Sequence, residues 1–266
     1  MTNEELKNIG KSVRRAIIEM GYRSKGGHIG CSLSCADIII ALYFSAMRID
    51  PKNPLADDRD RFILSKGHSA AALYAVLAER GFFPKEELQS YFSDGSRLAG
   101  HVVLGCVPGT EASTGSEGHG LSLGEGMAFA AIQKKNNARV FVIVGDGEME
   151  EGSTWEAVMS AGHHKVGNLT MIVDYNRLQI MGNPEDILGI DPLDEKLKNF
   201  KWDVDVINGH DFDELIQALN KKTDRPHAII AHTIKGKDVS FMENKVEWHG
   251  KSLDENLYQT AIKELS

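Results

Sequence analysis

The sequence is short of several things, and each shortage narrows the reading. Only three cysteines occur in 266 residues: Cys31, Cys35 and Cys106. An odd count, with the first two four apart, fits neither a disulfide framework nor the paired-thiolate spacing of a zinc site, so all three read as reduced, mostly buried thiols. Nothing in the sequence pairs one of them with a base, as a reactive thiol would require. Basic residues are scattered and the formal net charge is −8, which argues against nucleic acid or an anionic membrane as partner. The start, Met1-Thr2-Asn3-Glu4-Glu5, lacks the basic and apolar regions of a signal peptide. The longest apolar run, Ala36 to Met47 with one Asp and one Ser, is too short to span a bilayer. A cytoplasmic location is the expectation. With no internal repeat and no low-complexity stretch, one domain over residues 1–266 is the economical reading.

What is present suits a folded α/β chain: 42% hydrophobic and 26% charged residues, and length enough for an extensive core. Thr2-Asn3-Glu4-Glu5 reads as a capping box, and Leu6, Ile9, Val13, Ile17 and Met20 recur at helical spacing up to about Gly21. A second helix is expected from about Ser34 to Met47, a strand at Phe62-Ile63-Leu64, a helix over Ala70–Ala78 and another begun by Pro84. Residues 93–119 are dominated by Gly, Ser, Thr and Pro and predict a long ordered loop. A helix follows from Leu121 to Lys135. Further on come a short helix at 193–200, a strand at Trp202–Ile207, a helix at 212–219, a strand at His227–His232 and a last helix from Asp254. Alternating strands and helices predict an α/β, doubly wound, mainly parallel sheet with helices on both faces.

The most informative stretch is Arg139–Asn176: an apolar strand (Val140–Val144), the turn Gly145-Asp146-Gly147-Glu148, a helix from about Ser153, and a second strand ending at Val173-Asp174-Tyr175-Asn176. This is a parallel crossover unit, and ligands of such units sit beyond the carboxyl ends of the strands. Asp146 and Asn176 fall at those ends, thirty residues apart, about the length of one crossover. A carboxylate, an amide oxygen and a nearby carbonyl suit a hard cation that shares its remaining positions with water and phosphate. Gly147 would admit a phosphate close to the backbone, and the helix start would supply free N–H groups.

Four histidines stand beside glycine in turns: His28, His68, His101 and His249. Glycine there suggests close approach of a ligand, and imidazole exchanges protons near neutral pH or hydrogen-bonds sugar hydroxyls. His119 is equally suited to stabilising its loop or to a subunit contact. His163 and His164 read as a helix end, His210 as a helix start, and His227 and His232 as strand residues.

Gly27-His28, Ser65-Lys66-Gly67-His68, Gly100-His101, Ser113-Thr114-Gly115-Ser116, Gly145-Asp146-Gly147 with Glu151-Gly152, Asn176 and Trp248-His249-Gly250 occur in the order and approximate spacing of the diphosphate-binding half of transketolases. The chain resembles that family over essentially its whole length. The resemblance implies thiamine diphosphate as cofactor, held through Mg²⁺, with Ca²⁺ or Mn²⁺ as alternatives. Asp146, Asn176 and the Leu178 carbonyl would bind the metal. His68, Gly115, Ser116, Glu117, Gly145, Asp146, Gly147, Glu148, Asn176 and Ile180 would surround the cofactor, Gly115 and Ile180 at its rings. His28 and His249 would contact the aldehyde, while His68 and His101 would face the donor ketose and the cofactor's reactive carbon. Glu151 matches a glutamate at the dimer interface that links two active sites.

Two positions depart from the family pattern. Tyr175-Asn176 replaces a frequent pair of asparagines, and Glu117 stands where an apolar residue is usual, leaving open whether it meets the cofactor rings or turns outward. A full transketolase also carries a pyrimidine-binding domain, so the resemblance is to the N-terminal subunit of a split enzyme whose C-terminal subunit is a separate chain, two of each forming a heterotetramer. The implied activity is transfer of a two-carbon ketol unit from an anionic ketose to an aldose. The rivals are another thiamine diphosphate enzyme, of the 2-oxoacid decarboxylating or deoxyxylulose-phosphate synthase kind, and a non-catalytic partner subunit. Ser65-Lys66-Gly67-His68 together with Trp248-His249-Gly250 favours transketolase.

Overall fold

A computed structural model describes residues 1–266. Its centre is a five-stranded parallel sheet of β1 (Arg61–Leu64), β2 (Val140–Gly145), β3 (Leu169–Tyr175), β4 (Asp203–Asn208) and β5 (His227–His232), in the spatial order β1-β2-β3-β5-β4. The strands alternate between two cores. Phe141 and Ile143 of β2 face one side, and Val140, Val142 and Val144 face the other; Ile172 of β3 opposes Met171 and Val173 in the same way. Both faces being covered explains why these strands are continuous apolar runs. Each fully buried Val, Ile or Phe contributes about 1.5–3 kcal/mol. The edge strand β4 is half exposed and correspondingly carries Asp203 and Asp205.

Nine α-helices wrap the sheet. Against one face lie α1 (Asn3–Ser24), α2 (Ile29–Ala41), α3 (Ala70–Arg80), α8 (Phe212–Leu219) and α9 (Glu255–Glu264); α4 (Gly120–Gln133), α5 (Gly152–His164) and α7 (Leu193–Asn199) cover the other, and α6 (Pro184–Ile187) is one turn in the β3–β4 connection. The expected capping box is present: Thr2 Oγ1 accepts from Glu5 N–H, and the Glu5 carboxylate accepts from Thr2 N–H.

Two expected helices differ from what forms. The segment after Pro84 is a 3-10 turn, Lys85–Ser90, rather than an α-helix. The second helix begins at Ile29, five residues before Ser34, because Ile29 to Leu33 are all buried and continue its packing. With the π-helical turn Leu42–Ala46, it makes an apolar segment, Ile29–Ala46, longer than the run visible in sequence. By length and composition it could cross a membrane, yet 89% of it is buried inside this fold. Residues 91–119 form the expected long connection without regular secondary structure.

Candidate active site

Beyond the carboxyl ends of β1, β2, β3 and β5 lies a cavity of about 230 Å³. Asp146, at the end of β2, is 3% exposed, and Asn176, just past β3, is 8% exposed. The crossover closes as expected: Arg177 adopts φ 59°, and its N–H donates to Asp146 Oδ2. Asn176 Nδ2 donates to Ser34 Oγ at 3.1 Å, which sets the amide so that Oδ1 accepts from Leu178 N–H at 3.0 Å. The Leu178 carbonyl borders the same cavity, where it accepts from Lys235 Nζ at 2.8 Å.

Beneath these oxygens sits a buried pair, Lys66 and Asp174. Asp174 also accepts from Ser34 and Thr233. Burial alone would raise the Asp174 pKa, but the Lys66 ammonium beside it holds the carboxyl below its ordinary range. Burial, reinforced by the Asp174 charge, pushes Asp146 up to about 6. A desolvated carboxylate beside an amide and a carbonyl oxygen is a hard donor set suited to a small divalent cation.

One expected detail changes. Gly147 N–H is taken by Asp146 Oδ1 at 2.9 Å, and a 3-10 turn, Gly147–Glu150, separates Asp146 from the start of α5. Glu148 lines the cavity, but its carboxylate accepts from Ser65 Oγ, Gly118 N–H and Gly145 N–H; it braces the Ser65 turn and the 113–120 loop against β2.

The same cavity gathers imidazoles, and Lys235 Nζ, bonded to the Leu178 carbonyl, stands 3.0 Å from one of them, His249 Nδ1. Ring centroids of His28 and His68 are 5.1 Å apart, those of His28 and His249 5.2 Å, and those of His68 and His249 5.4 Å. His101 stands 5.6 Å from His28, exposed at the rim and packed on Gly115. Most neighbouring glycines serve protein packing rather than ligand approach, while Gly250 beside His249 faces open space. A Cβ on Gly67 would lie 2.5 Å from the Thr114 backbone, and one on Gly30 would lie 2.5 Å from the Trp248 carbonyl oxygen. Gly30 thereby lets the start of α2 abut the 246–249 turn, bringing His28 to His249.

Burial and the nearby His68 charge lower the His28 pKa to about 4. His68 goes the other way. Burial works against its charge, but hydrogen bonds to Cys31 and Glu117 outweigh it and raise the pKa to about 9. Glu117 thus turns inward, its Oε1 3.3 Å from His68 Nδ1.

Of the sequence candidates, His28, His68, His249, Gly115, Glu117, Gly145, Asp146, Gly147, Glu148, Asn176, Leu178 and the largely exposed Ile180 line this one cavity. Ser116 does not; it is exposed beside it. Glu151 is exposed at the N-cap of α5, also outside. His119 is exposed, with Nδ1 3.2 Å from the Glu117 carbonyl. His210 precedes the α8 cap, Asp211, and pairs with the buried Asp37, while His227 pairs with Asp205.

Sequence reasoning missed Cys31, Lys66, Gln179 and Lys235, which also line the cavity. Cys31 is no isolated thiol: Sγ is buried 3.5 Å from His249 Nδ1. Burial opposes its ionisation, yet hydrogen bonds with His249 and His68 bring its pKa well below the ordinary thiol value. The partners lie 218 residues away and in a separate turn, so no local spacing announces them.

Residues 7–265 match the family model described as transketolase, thiamine diphosphate binding domain. The chain belongs to the transketolase family. Among its transketolase relatives, an apulose-4-phosphate transketolase subunit of Phocaeicola vulgatus is 40% identical over all of this chain and 95% of its own. The 6-deoxy-6-sulfo-D-fructose transketolase subunit SqwG of a Clostridium species is 39% identical over 98% of this chain and 96% of its own. The solved transketolase of Campylobacter jejuni superposes with a TM-score of 0.94 at 29% identity, covering all of this chain and 43% of that one. The chain therefore spans nearly the whole of the two subunits but under half of the solved transketolase. Membership of the transketolase family accounts for the doubly wound fold, and these relatives do not favour the decarboxylase, synthase or non-catalytic readings.

Proposed function

We propose that this chain is the N-terminal, diphosphate-binding subunit of a split transketolase, moving a two-carbon ketol unit from an anionic ketose to an aldose when joined to a C-terminal subunit. The observation that carries it is the single cavity that brings three imidazoles together with the oxygens of Asp146, Asn176 and Leu178. The oxygens would hold Mg²⁺ and, through it, a diphosphate; the open face of Gly145, where a Cβ would meet nothing within 4 Å, leaves room for it. Thiamine diphosphate, when bound, supplies an electron sink for cleaving a carbon–carbon bond beside a carbonyl.

The imidazoles handle protons and hydroxyls. His28, kept neutral by burial, can accept a proton from a sugar hydroxyl at neutral pH, and His68, kept charged beside Glu117, can donate one toward a carbonyl oxygen. His249, bridged to Cys31 and Lys235, would orient the sugar from the opposite wall. His101 would contact it at the rim. Near-complete alignment with two chains named as subunits supports a separate partner. That partner would supply the pyrimidine-binding domain in a cytoplasmic heterotetramer, two of each chain, with Glu151 at the contact between the halves.

The test is reconstitution. The purified chain, mixed with the candidate C-terminal subunit, thiamine diphosphate and Mg²⁺, is assayed for ketol transfer from phosphorylated and sulfonated ketoses to an aldose. Transfer that needs both chains supports the proposal, and transfer by neither the mixture nor any ketose tested overturns it.

A further inference from the structure

The cavity carries a second donor set, chemically unlike the oxygens of Asp146, Asn176 and Leu178. Cys31 Sγ and one ring nitrogen each from His68 and His249 lie within 4.8 Å of one another. His28 stands against both rings, and its Nδ1 is buried with no hydrogen-bond partner. Metal–ligand bonds of about 2.0–2.3 Å place tetrahedral donors under about 4 Å apart, so the three need close by only about an ångström. One thiolate and two imidazoles with an open fourth position is a recurrent Zn²⁺ arrangement. Donor softness separates the two sets: carboxylate, amide and carbonyl oxygens suit Mg²⁺, whereas sulfur and imidazole nitrogen suit Zn²⁺ or Co²⁺.

We propose that Cys31, His68 and His249 form a binding site for a thiophilic divalent cation, separate from the hard-cation oxygens, and that its occupation withdraws the two imidazoles from the sugar. On binding, the charged His68 ring releases a proton to solvent, as does Cys31 wherever its thiol is still protonated, and metal–nitrogen and metal–sulfur bonds replace those N–H and S–H bonds. His249 Nδ1 exchanges its contacts with Cys31 and with Lys235 Nζ, 3.0 Å away, for the ion. Lys235 retains its hydrogen bond to the Leu178 carbonyl. The site's existence requires only this cavity, whereas its inhibitory consequence rests on the transketolase reading, and the two are tested separately.

For the site, Co²⁺ is added to the purified chain and the electronic absorption recorded. A sulfur-to-Co²⁺ charge-transfer band with strong tetrahedral d–d bands is expected. It should be lost in Cys31→Ser and kept in Cys106→Ser, in Asp146→Asn and in excess Mg²⁺. Zn²⁺ affinity, by competition with a chromophoric chelator, should fall by at least about tenfold in Cys31→Ser. In the unmodified chain, which needs no variant to fold, Zn²⁺ should slow alkylation of Cys31 but not of Cys106. Absence of the band, its survival in Cys31→Ser, its loss in Asp146→Asn, or unprotected Cys31 would overturn the site. For the consequence, micromolar-range Zn²⁺ should inhibit the reconstituted enzyme without relief by Mg²⁺; full activity with the Cys31 site occupied would overturn that half alone.

Discussion

Replacing Glu117 with Gln keeps the side chain's shape and removes its charge from His68 Nδ1, 3.3 Å away. Two unit charges at that separation attract by about 5 kcal/mol at an effective dielectric constant near 20. The Glu117 side chain is 37% exposed, so water screens the pair to about 1 kcal/mol. That is a little under one pKa unit, at about 1.4 kcal/mol per unit. In the parent chain, burial pulls the His68 pKa down while hydrogen bonds to Cys31 and Glu117 raise it to about 9. In Glu117→Gln the Cys31 contact remains, and the pKa is expected to fall by slightly less than one unit. Nuclear magnetic resonance titration of the ¹³C-labelled His68 ring reads this directly. The sign of the stability effect follows. A raised folded-state histidine pKa contributes stability fully present below the ordinary 6.5 and lost as pH rises through about 9. Glu117→Gln should therefore unfold more easily than the parent at pH values below 6.5 where Glu117 is still ionised, and the difference should fade at higher pH and again in acid as the Glu117 carboxylate, held below its ordinary pKa by His68, is protonated. An unchanged His68 titration, or a deficit that grows above pH 9, would refute the pairing.

Four further variants have expected outcomes. Lys66→Met leaves the fully buried Asp174 carboxylate without its counter-charge, and urea denaturation should show a loss of about 3–5 kcal/mol; a loss below about 1 kcal/mol would show that Ser34 and Thr233 suffice. Gly30→Ala puts a methyl against the Trp248 carbonyl, which should cost about 1–3 kcal/mol in the same assay and weaken transfer by parting His28 from His249; unchanged stability would sink the close-approach argument. Asp146→Ala should lose cofactor binding first, read by titrating thiamine diphosphate with Mg²⁺ present, while His249→Ala should lower transfer more than binding. Equal cofactor affinity in Asp146→Ala and the parent chain would contradict the metal assignment.

The strands and the crossover were legible because a parallel sheet covered on both faces needs continuous apolar runs, and Val140–Val144 is one. Asp146 and Asn176 were legible because a strand end followed by a turn is a local event. The helix start at Ile29 was not, because glycines at 26, 27 and 30 mark a turn locally while packing against the 246–249 turn extends the helix. The glycines beside histidines are expected to admit a ligand, but at Gly30 and Gly67 the close partner is the protein's own backbone. Ser116 falls outside the cavity, exposed between Gly115 and Glu117, which line it, because an irregular loop has no periodicity from which the inward-facing residue can be read.

By itself the sequence determined the layered α/β architecture and that the turns after its strands meet at one sheet edge, since hydrophobic periodicity and strand-to-helix alternation are local; the spatial order of the strands came only with the tertiary structure. Tertiary structure alone decided how the polar groups pair within that edge. Glu117 faces His68, Lys66 neutralises Asp174, and Cys31 meets His249, because burial makes an unpaired charge costly and each finds its partner from a distant segment.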